Sequence, residues 1–202
     1  MKISKNFYEQ EAISLAENLL GKILVRKIGN TILKARIVET EAYPGEDDKG
    51  SHNYGGRFTE RTKTLYAKGG HIYIYLIYGM YELLNIVSGE EGSGQGVLIR
   101  AVEPLSELNL FSQNRFSKDY MNLSSYQKKN LTNGPGKLTK AMKITRKYNG
   151  FVLSRDDIYI EDDDYSNFEI VKTKRIGIDY AEEAKDFPYR FYIKGNKYVS
   201  VK

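Results

Sequence analysis

The sequence has no cysteine, only two histidines and no long run of apolar residues. Without cysteine the chain has neither a disulfide framework nor a thiol nucleophile. Two histidines alone leave too few ligands for an ordinary zinc site. No apolar run approaches the roughly 20 residues that a membrane-spanning helix needs, and the first residues include no apolar signal segment. We therefore expect a soluble, cytoplasmic protein of a reducing compartment.

Chain length and charge narrow the class of protein further. The 202 residues suffice for one large domain with a real core, and we expect residues 1–202 to form a single domain. Lysine and arginine number 31 against 26 acids, which gives a net charge of +5 at pH 7. The excess favours an anionic partner, although ordinary surface charge accounts for it as well.

Hydrophobic periodicity predicts an α+β fold in which a mixed, curved antiparallel sheet of β-hairpins is flanked by helices. Helices are predicted over 9–20, 104–116, 118–130 and 138–144. Strands are predicted over 22–28, 31–43, 71–78, 83–88, 97–101, 151–153, 158–160, 168–171, 190–193 and 198–201. The turn residues Gly29-Asn30, Gly79-Met80 and Gly195-Asn196 join three of the strand pairs.

One predicted strand runs directly into acidic residues. The alternation over 31–38 continues so that Glu39 and Glu41 share one face, about 7 Å apart by strand rise. Pro44 has no N–H for a ladder and stops the strand just past Tyr43. Glu41 and Tyr43 therefore lie where a sheet meets a loop, which is a common place for chemistry.

Two other interpretations of these acids stay open. Glu39 and Glu41 are compatible with a solvated strand edge, with Tyr43 as an ordinary strand aromatic. A site for a hard cation is also conceivable, because such ions bind several carboxylate oxygens. Its ligands would be Glu39, Glu41, Asp47, Asp48 and His52.

Asn85 interrupts the apolar return strand of the predicted hairpin over 71–88. A turn of two or three residues beginning at Gly79 would place it opposite Ile74 or Tyr75. Its amide needs partners, because burying an unpaired amide costs about 1 to 3 kcal/mol. Those partners are either backbone groups or a ligand.

Large apolar side chains stand at the tip of the same hairpin, where water should be. They are Tyr78, Met80 and Tyr81. Packing beneath a neighbouring loop would explain them, and so would insertion between base pairs. The spacing does not choose between these two explanations.

Basic residues follow in two further segments. In the loop over 51–70, Arg57, Thr59 and Arg61 alternate, so an extended chain would project them together at a phosphate backbone. Lys137 opens a helix after a turn, where free N–H groups suit a phosphate. Solvated loop charge and a simple helix entry are the competing interpretations.

Arg100 ends the short apolar strand predicted over 97–101. An unpaired charge in such a buried strand is costly. We therefore expect Arg100 to pair with a carboxylate or with an anionic ligand.

These motifs together resemble the alkyladenine (3-methyladenine) DNA glycosylase family over nearly the whole chain, from about residue 20 to residue 201. The matching segments are Val38-Glu39-Thr40-Glu41-Ala42-Tyr43, His52, Tyr75-Leu76-Ile77-Tyr78-Gly79-Met80-Tyr81, Asn85, Arg100 and Gly134-Pro135-Gly136-Lys137-Leu138. The resemblance implies a DNA repair enzyme that flips a damaged purine, such as 3-methyladenine or hypoxanthine, from duplex DNA. It implies hydrolysis of the N-glycosidic bond, which leaves an abasic site.

The resemblance also implies a role for each residue of the base pocket. Glu41 would be the general base for the attacking water, with Arg100 beside it. Tyr43 and Tyr75 would sandwich the flipped base, and His52 would contact the edge of that base.

The remaining matches concern specificity and DNA. Asn85 would crowd out normal purines that carry the wrong exocyclic group. Tyr78 would fill the vacated base stack, with Met80 beside it at the hairpin tip. Contacts to the DNA backbone would come from Arg57, Thr59, Arg61 and Lys137.

By the same resemblance the enzyme would be monomeric and monofunctional, with no metal and no cofactor, and double-stranded DNA would be its partner. It would be monofunctional because no lysine falls on the residues that match the family's pocket. Two other classes stay open. A basic DNA-binding protein without turnover would release no free base from a lesion-containing duplex, and a metal-dependent nuclease would be inhibited by EDTA.

Overall fold

One long strand, β2 (Thr31–Tyr43), runs through the centre of the sheet and organises the fold. The structure is a computed structural model that describes residues 1–153 and 157–201. β1 (Ile23–Ile28) pairs with the first half of β2 across the Gly29-Asn30 turn, as predicted. The apolar alternation also holds, because Leu33, Ala35 and Ile37 are fully buried.

The strands named in the structure all pair in antiparallel fashion. The other six are β3 (Ile72–Ile77), β4 (Tyr81–Ser88), β5 (Gln95–Pro104), β6 (Ile158–Glu161), β7 (Ile170–Thr173) and β8 (Arg190–Ile193). Their order is β3-β4-β5-β2-β1-β6, and β8 pairs with both β2 and β7. β1 and β8 therefore share one edge of β2, while β5 takes the other edge. The α+β fold class is confirmed.

The described residues form four α-helices. They are α1 (Ala12–Asn18), α2 (Leu108–Phe116), α3 (Ser125–Lys129) and α4 (Pro135–Ala141). α1 packs on β2 and β5, and α4 packs on β4 and β5. No helix in the described part of the chain is long and apolar enough to cross a membrane.

The helices predicted over 104–116 and 118–130 are wrong in extent. Pro104 does not open a helix but ends β5, where it pairs with Ala35 of β2. The second segment is a short 3-10 helix followed by α3. α3 begins where Ser124 accepts a hydrogen bond from the Gln127 N–H and Gln127 returns one, a capping box that favours a new helix start there.

Smaller differences concern element ends. The helix predicted over 9–20 is a 3-10 helix (Lys5–Glu9) followed by α1, because Gln10 has extended backbone angles between the two. The helix predicted over 138–144 already begins at Pro135, a residue favoured in the first helical turn. The strand predicted over 151–153 is reduced to a single bridge between Val152 and His71.

The β3-β4 hairpin turns over three residues, Tyr78, Gly79 and Met80. Tyr78 and Gly79 have φ angles of 53° and 68°, and the Met80 N–H donates to the Ile77 carbonyl at 3.2 Å. Two successive left-handed residues match the twist of a hairpin. A tyrosine rarely adopts this conformation, so the turn holds Tyr78 at a conformational cost.

The starting point of the turn sets the register of the hairpin. Asn85 lies opposite Tyr73, so the prediction that it would face Ile74 or Tyr75 is wrong. The error is in where the turn begins, since it starts at Tyr78 and not at Gly79.

The predicted final strand over 198–201 is also wrong. β8 pairs with β7 and β2, and Ser200 instead donates to the buried Glu39 carboxylate from its N–H at 2.7 Å and from its hydroxyl at 2.8 Å. A buried carboxylate binds such donors strongly, so the segment satisfies Glu39 and forms no ladder.

We predict that Ser200→Ala lowers the free energy of unfolding by about 1.5 to 3 kcal/mol, the usual effect of losing a hydrogen bond to a charged group. Ser166→Ala, at an exposed serine, is the matched control and should change it by less than about 0.5 kcal/mol. Equal urea denaturation midpoints for the two variants would contradict the role assigned to Ser200.

Candidate active site

A cavity of about 430 Å³ opens between the ends of β2 and β3, the β3-β4 hairpin, the start of α4 and the segment over 176–180. Its volume lies within the range of small-molecule sites. Six tyrosines line it, namely Tyr43, Tyr73, Tyr75, Tyr78, Tyr81 and Tyr180. So many aromatic rings around one opening suit a planar ligand that binds by stacking.

Glu41 lies at the end of β2 with its side chain fully buried. Its Oε1 accepts a hydrogen bond from the Ile176 N–H at 2.7 Å and pairs with Nη1 of Arg100 at 3.2 Å. Its Oε2 accepts a hydrogen bond from the Tyr43 hydroxyl at 2.9 Å. Ile176, Arg100 and Tyr43 all line the cavity, so the carboxylate lies directly behind the cavity wall.

Glu39 is equally buried but is enclosed by different groups. Its Oε1 accepts from Nε of Arg190 at 2.7 Å and from Nε of Arg100 at 3.3 Å, in addition to the Ser200 contacts. Arg190 and Ser200 are not among the cavity-lining residues. The solvated-edge interpretation is therefore wrong for both Glu39 and Glu41, because β5 and β8 flank this half of β2 on its two edges.

Arg100 pairs with both glutamates, which confirms the expectation that it would find a carboxylate. Burial lowers the pKa of Arg100, but attraction to Glu41 and Glu39 outweighs this and leaves the pKa above its ordinary value. Burial also raises the pKa of the Tyr43 hydroxyl well above its usual range, and the Glu41 charge adds to that shift. Tyr43 is thus a neutral hydrogen-bond donor to Glu41.

The cation site considered for the same acids is not assembled. Glu39 and Glu41 face arginines, Asp48 is held by Arg175, and Asp47 is exposed. Across residues 1–153 and 157–201, no three carboxylate, histidine or cysteine side chains come close enough to hold a metal ion together.

Tyr43 and Tyr75 lie on different strands at the cavity wall. In the described structure no ring contact joins them, although Tyr75 contacts the ring of Tyr73 with centroids 5.6 Å apart. The cavity therefore contains two separate stacking surfaces. The roles that the family resemblance gives to Tyr43 and Tyr75 stay predictions.

His52 stands with its ring edge against Tyr75, the two centroids being 4.3 Å apart. Its Nδ1 lies 2.9 Å from the Tyr73 hydroxyl, and its Nε2 lies 3.3 Å from Nη2 of Arg61. Arginine can only donate, so Nε2 accepts and Nδ1–H donates to Tyr73. Burial, together with repulsion from Arg61, lowers the pKa of His52 from 6.5 to about 4. His52 is therefore neutral at pH 7.

Asn85 also lines the cavity, from β4. Its Nδ2 donates to the carbonyls of Tyr73 and Leu83 at 3.2 and 3.3 Å. These backbone contacts fix the orientation of the amide. Its place in the cavity wall keeps it available to a ligand as well.

The tip of the β3-β4 hairpin reaches into solvent beside the cavity mouth. Tyr78 is 82% exposed and Met80 is 67% exposed, so the explanation that they pack beneath a loop is wrong. Tyr81 is held more firmly, because a Cβ added to Gly136 of α4 would come within 2.8 Å of its ring. Tyr78 lines the cavity, whereas Met80 lies beyond it.

Arg57, Thr59 and Arg61 do not form the extended segment that was predicted. The chain turns after Thr59, whose carbonyl accepts hydrogen bonds from the N–H groups of Thr62 and Lys63. Arg61 consequently reaches the cavity. Arg57 and Thr59 line a neighbouring depression that Arg61 and His52 share.

Lys137 also lies in the cavity wall, although it is not among the residues that the family resemblance assigns to the base pocket. Its Nζ donates to the side chains of Asn130 and Asn133 at 2.7 and 2.9 Å. Burial and repulsion from Arg115 lower the pKa of Lys137. The phosphate contact predicted at this helix start stays a prediction.

Four cations at or beside the cavity have no acidic partner in the part of the chain that the structure describes. Within the described residues no acid pairs with the cations Arg57, Arg61, Arg115 and Lys137. Many cations elsewhere do have an acidic partner, namely Lys22, Lys34, Arg36, Lys49, Lys68, Lys172, Lys174 and Lys194. The cavity and the depression beside it therefore offer unpaired positive charge to an anionic partner.

Several residues of this site had no signal that singled them out in the sequence. Arg175, Ile176 and Tyr180 lie in an irregular segment without periodicity, far along the chain from Glu41. Tyr73 is different, since its alternation with Tyr75 in an aromatic strand could have identified it as a second cavity residue.

Comparison with known proteins finds similarity over nearly the whole chain. A model of the family described as Methylpurine-DNA glycosylase (MPG) matches residues 6–197. A protein of Clostridium novyi (strain NT) is 55% identical over 201 residues, covering 100% of this chain and 99% of its own length. Proteins of Clostridium botulinum (strain Alaska E43 / Type E3) and Clostridium acetobutylicum are 54% and 52% identical, again over 100% of this chain and over 100% and 98% of their own. All three bear the name "Putative 3-methyladenine DNA glycosylase".

The lowered pKa of His52 predicts how the free energy of unfolding depends on pH. His52 takes up a proton near pH 6.5 in the unfolded chain and only near pH 4 in the folded chain. Its contribution to the free energy of unfolding is therefore complete above about pH 6.5 and is lost as the pH falls toward 4. Between about pH 7.5 and pH 5, wild type should lose about 1 to 2 kcal/mol more unfolding free energy than His52→Gln. Parallel losses in urea titrations of the two proteins would show that His52 is not held neutral.

Proposed function

We propose that this chain is a DNA repair enzyme that removes damaged purines from duplex DNA. The chain belongs to the methylpurine-DNA glycosylase family, which supports this proposal. It flips a lesion such as 3-methyladenine or hypoxanthine into the tyrosine-lined cavity. Water that is activated by Glu41 then hydrolyses the N-glycosidic bond and leaves an abasic site. The enzyme acts as a monofunctional N-glycosylase in the soluble cell interior, as a monomer.

The observation that carries this proposal is the position of Glu41 behind the cavity wall. Arg100, Tyr43 and Ile176 contact the carboxylate and also line the space that would hold the base. A carboxylate fixed by three partners next to a stacking pocket can orient a water molecule at the sugar of a bound nucleotide. General-base help of this kind is worth about 10² to 10⁴-fold in rate.

In this mechanism the oxygen of water bonds to C1′ while the bond between C1′ and the purine nitrogen breaks. Glu41 takes the proton from the water, and the bonding electrons leave with the base. An alkylated purine that is already positively charged leaves as a neutral molecule. Arg100 keeps its two carboxylate partners throughout and holds Glu41 in place.

Base selection follows from the groups that line the cavity. Tyr43 and Tyr75 offer the two stacking faces, and the neutral His52 meets the edge of the base. Asn85, with its amide fixed by backbone carbonyls, excludes normal purines that carry the wrong exocyclic group. Flipping costs a few kcal/mol and costs least for a damaged or mispaired base, which adds selectivity.

DNA binding follows from the surface around the mouth. The unpaired Arg57, Arg61 and Lys137, with Thr59, face the DNA backbone. The exposed Tyr78, flanked by Met80, occupies the gap that the flipped base leaves in the stack. Exposed aromatic side chains at a hairpin tip suit this use, because they can stack on bases of any identity.

We predict that Glu41→Gln slows base release by about 10² to 10⁴-fold while binding to lesion DNA stays nearly intact. Glutamine keeps the shape and the contacts to Ile176 and Tyr43, but it cannot take a proton. Glu39→Gln is the matched control, since Glu39 has the same burial, lies on the same strand and also pairs with Arg100. That control should lose stability, and its rate per folded molecule should fall far less than that of Glu41→Gln, because Glu39 takes no proton from the water. Wild-type-like turnover by Glu41→Gln would end the assignment.

Tyr78→Ala should weaken the flipped state by about 1 to 3 kcal/mol, the scale of aromatic stacking on a base. Its melting temperature should hardly change, because the side chain is 82% exposed. Alanine is preferred to glycine here, since glycine would also relax the left-handed backbone. The measurements are thermal melting and the single-turnover rate on hypoxanthine opposite thymine, with the equally exposed Met121→Ala as control. A large drop in melting temperature with an unchanged rate would end the wedge hypothesis.

No covalent adduct with lesion DNA should be trapped by borohydride, because water is the nucleophile. Lys137 is the lysine that could form such an adduct, since it lines the cavity and its pKa is lowered. Its Nζ donates hydrogen bonds to asparagine oxygens, which engage it as an ammonium group rather than as a nucleophile. A trapped adduct that disappears in Lys137→Gln would contradict monofunctional hydrolysis.

A further inference from the structure

Arg175 lies against the ring of Tyr43. Its guanidinium carbon is 4.8 Å from the centroid of that ring. Arg175 is buried and is not among the residues that line the cavity, whereas Tyr43 is one of them. The guanidinium therefore backs the Tyr43 ring from the side away from the cavity.

The position of this cation is fixed by several contacts. Its two terminal nitrogens donate to the two carboxylate oxygens of Asp48, one of them at 2.7 Å. The same nitrogens donate to the carbonyls of Ala42 at 3.0 Å and of Ala184 at 3.1 Å. Both side chains of the pair are almost fully buried. A bidentate pair with two further backbone acceptors holds the guanidinium rigidly behind Tyr43.

A cation on one face of an aromatic ring changes what the other face prefers. The face of a tyrosine ring is negative and attracts positive charge. A guanidinium on one face already satisfies part of that attraction. Its positive charge also repels a second cation that stacks on the opposite face. Burial strengthens this repulsion because little water screens it. Asp48 balances the pair overall, but the guanidinium is the partner in contact with the ring.

We infer that Arg175 is a specificity-determining residue that shifts the base pocket away from positively charged purines and toward neutral ones. The inference rests on the proposed function, in which Tyr43 stacks on the flipped base. The relevant quantity is the ratio of the single-turnover rate for a cationic lesion, such as 7-methylguanine, to that for the neutral hypoxanthine. Effects on DNA grip and on the attacking water cancel in this ratio.

Two variants change the charge behind Tyr43 in opposite directions. Asp48→Asn keeps Arg175 but removes its counter-charge, so the ratio should fall by about threefold or more. The double variant Asp48→Asn/Arg175→Gln removes the cation with no buried charge left unpaired, so the ratio should rise above wild type by about threefold or more. Arg175→Lys keeps a cation and should leave the ratio near wild type. Thermal melting of each variant measures the folded fraction.

A purely structural role for Arg175 gives a different outcome. Loosening Tyr43 would slow the release of both bases by the same factor, and an unchanged ratio in the folded variants would overturn the inference. If the double variant does not fold, Asp48→Asn alone decides, because its amide oxygen still accepts hydrogen bonds from its neighbours. Absence of base release by wild type with either lesion is a distinct result, since it would overturn the proposed function and this inference with it.

Discussion

The buried ion pair between Glu39 and its two arginines is the interaction on which the rest of the site depends. Arg100 comes from β5 and Arg190 from β8, so one carboxylate joins the strands on the two edges of β2. Removing one member of such a pair costs about 3 to 5 kcal/mol, because the other charge stays buried without a partner. The C-terminal segment adds the two donors of Ser200. Strand ends from distant parts of the sequence are thereby fixed around one point.

Glu39 and Glu41 lie on the same strand but differ in their surroundings. Glu39 is enclosed by groups that face the protein interior. Glu41 is held by Arg100, Tyr43 and the Ile176 N–H, all of which form the cavity wall. Arg100 links the two, since it pairs with both. The contacts of Glu39 therefore help to position Glu41 beside the cavity.

The sequence predicted β2, its hairpin with β1 and the strand-end position of Glu41 because alternating burial and turn residues are local signals. It did not predict the Ile176 N–H as a partner of Glu41, because Ile176 lies 135 residues away in an irregular segment. The register of Asn85 was missed, since period-two patterns do not fix the residue at which a turn begins. Local patterns likewise could not show that Ser200 would leave a hairpin to satisfy a buried charge.

The central claim is that a fixed carboxylate behind a stacking pocket makes this chain a hydrolase of damaged nucleotides. The direct measurement is chromatography of the products that wild type forms, in the presence of EDTA, from a duplex with a single hypoxanthine. The account predicts free hypoxanthine and abasic sites in equal amounts, and no base from the undamaged duplex. Strand cleavage that EDTA abolishes, or tight binding without any free base, would contradict it.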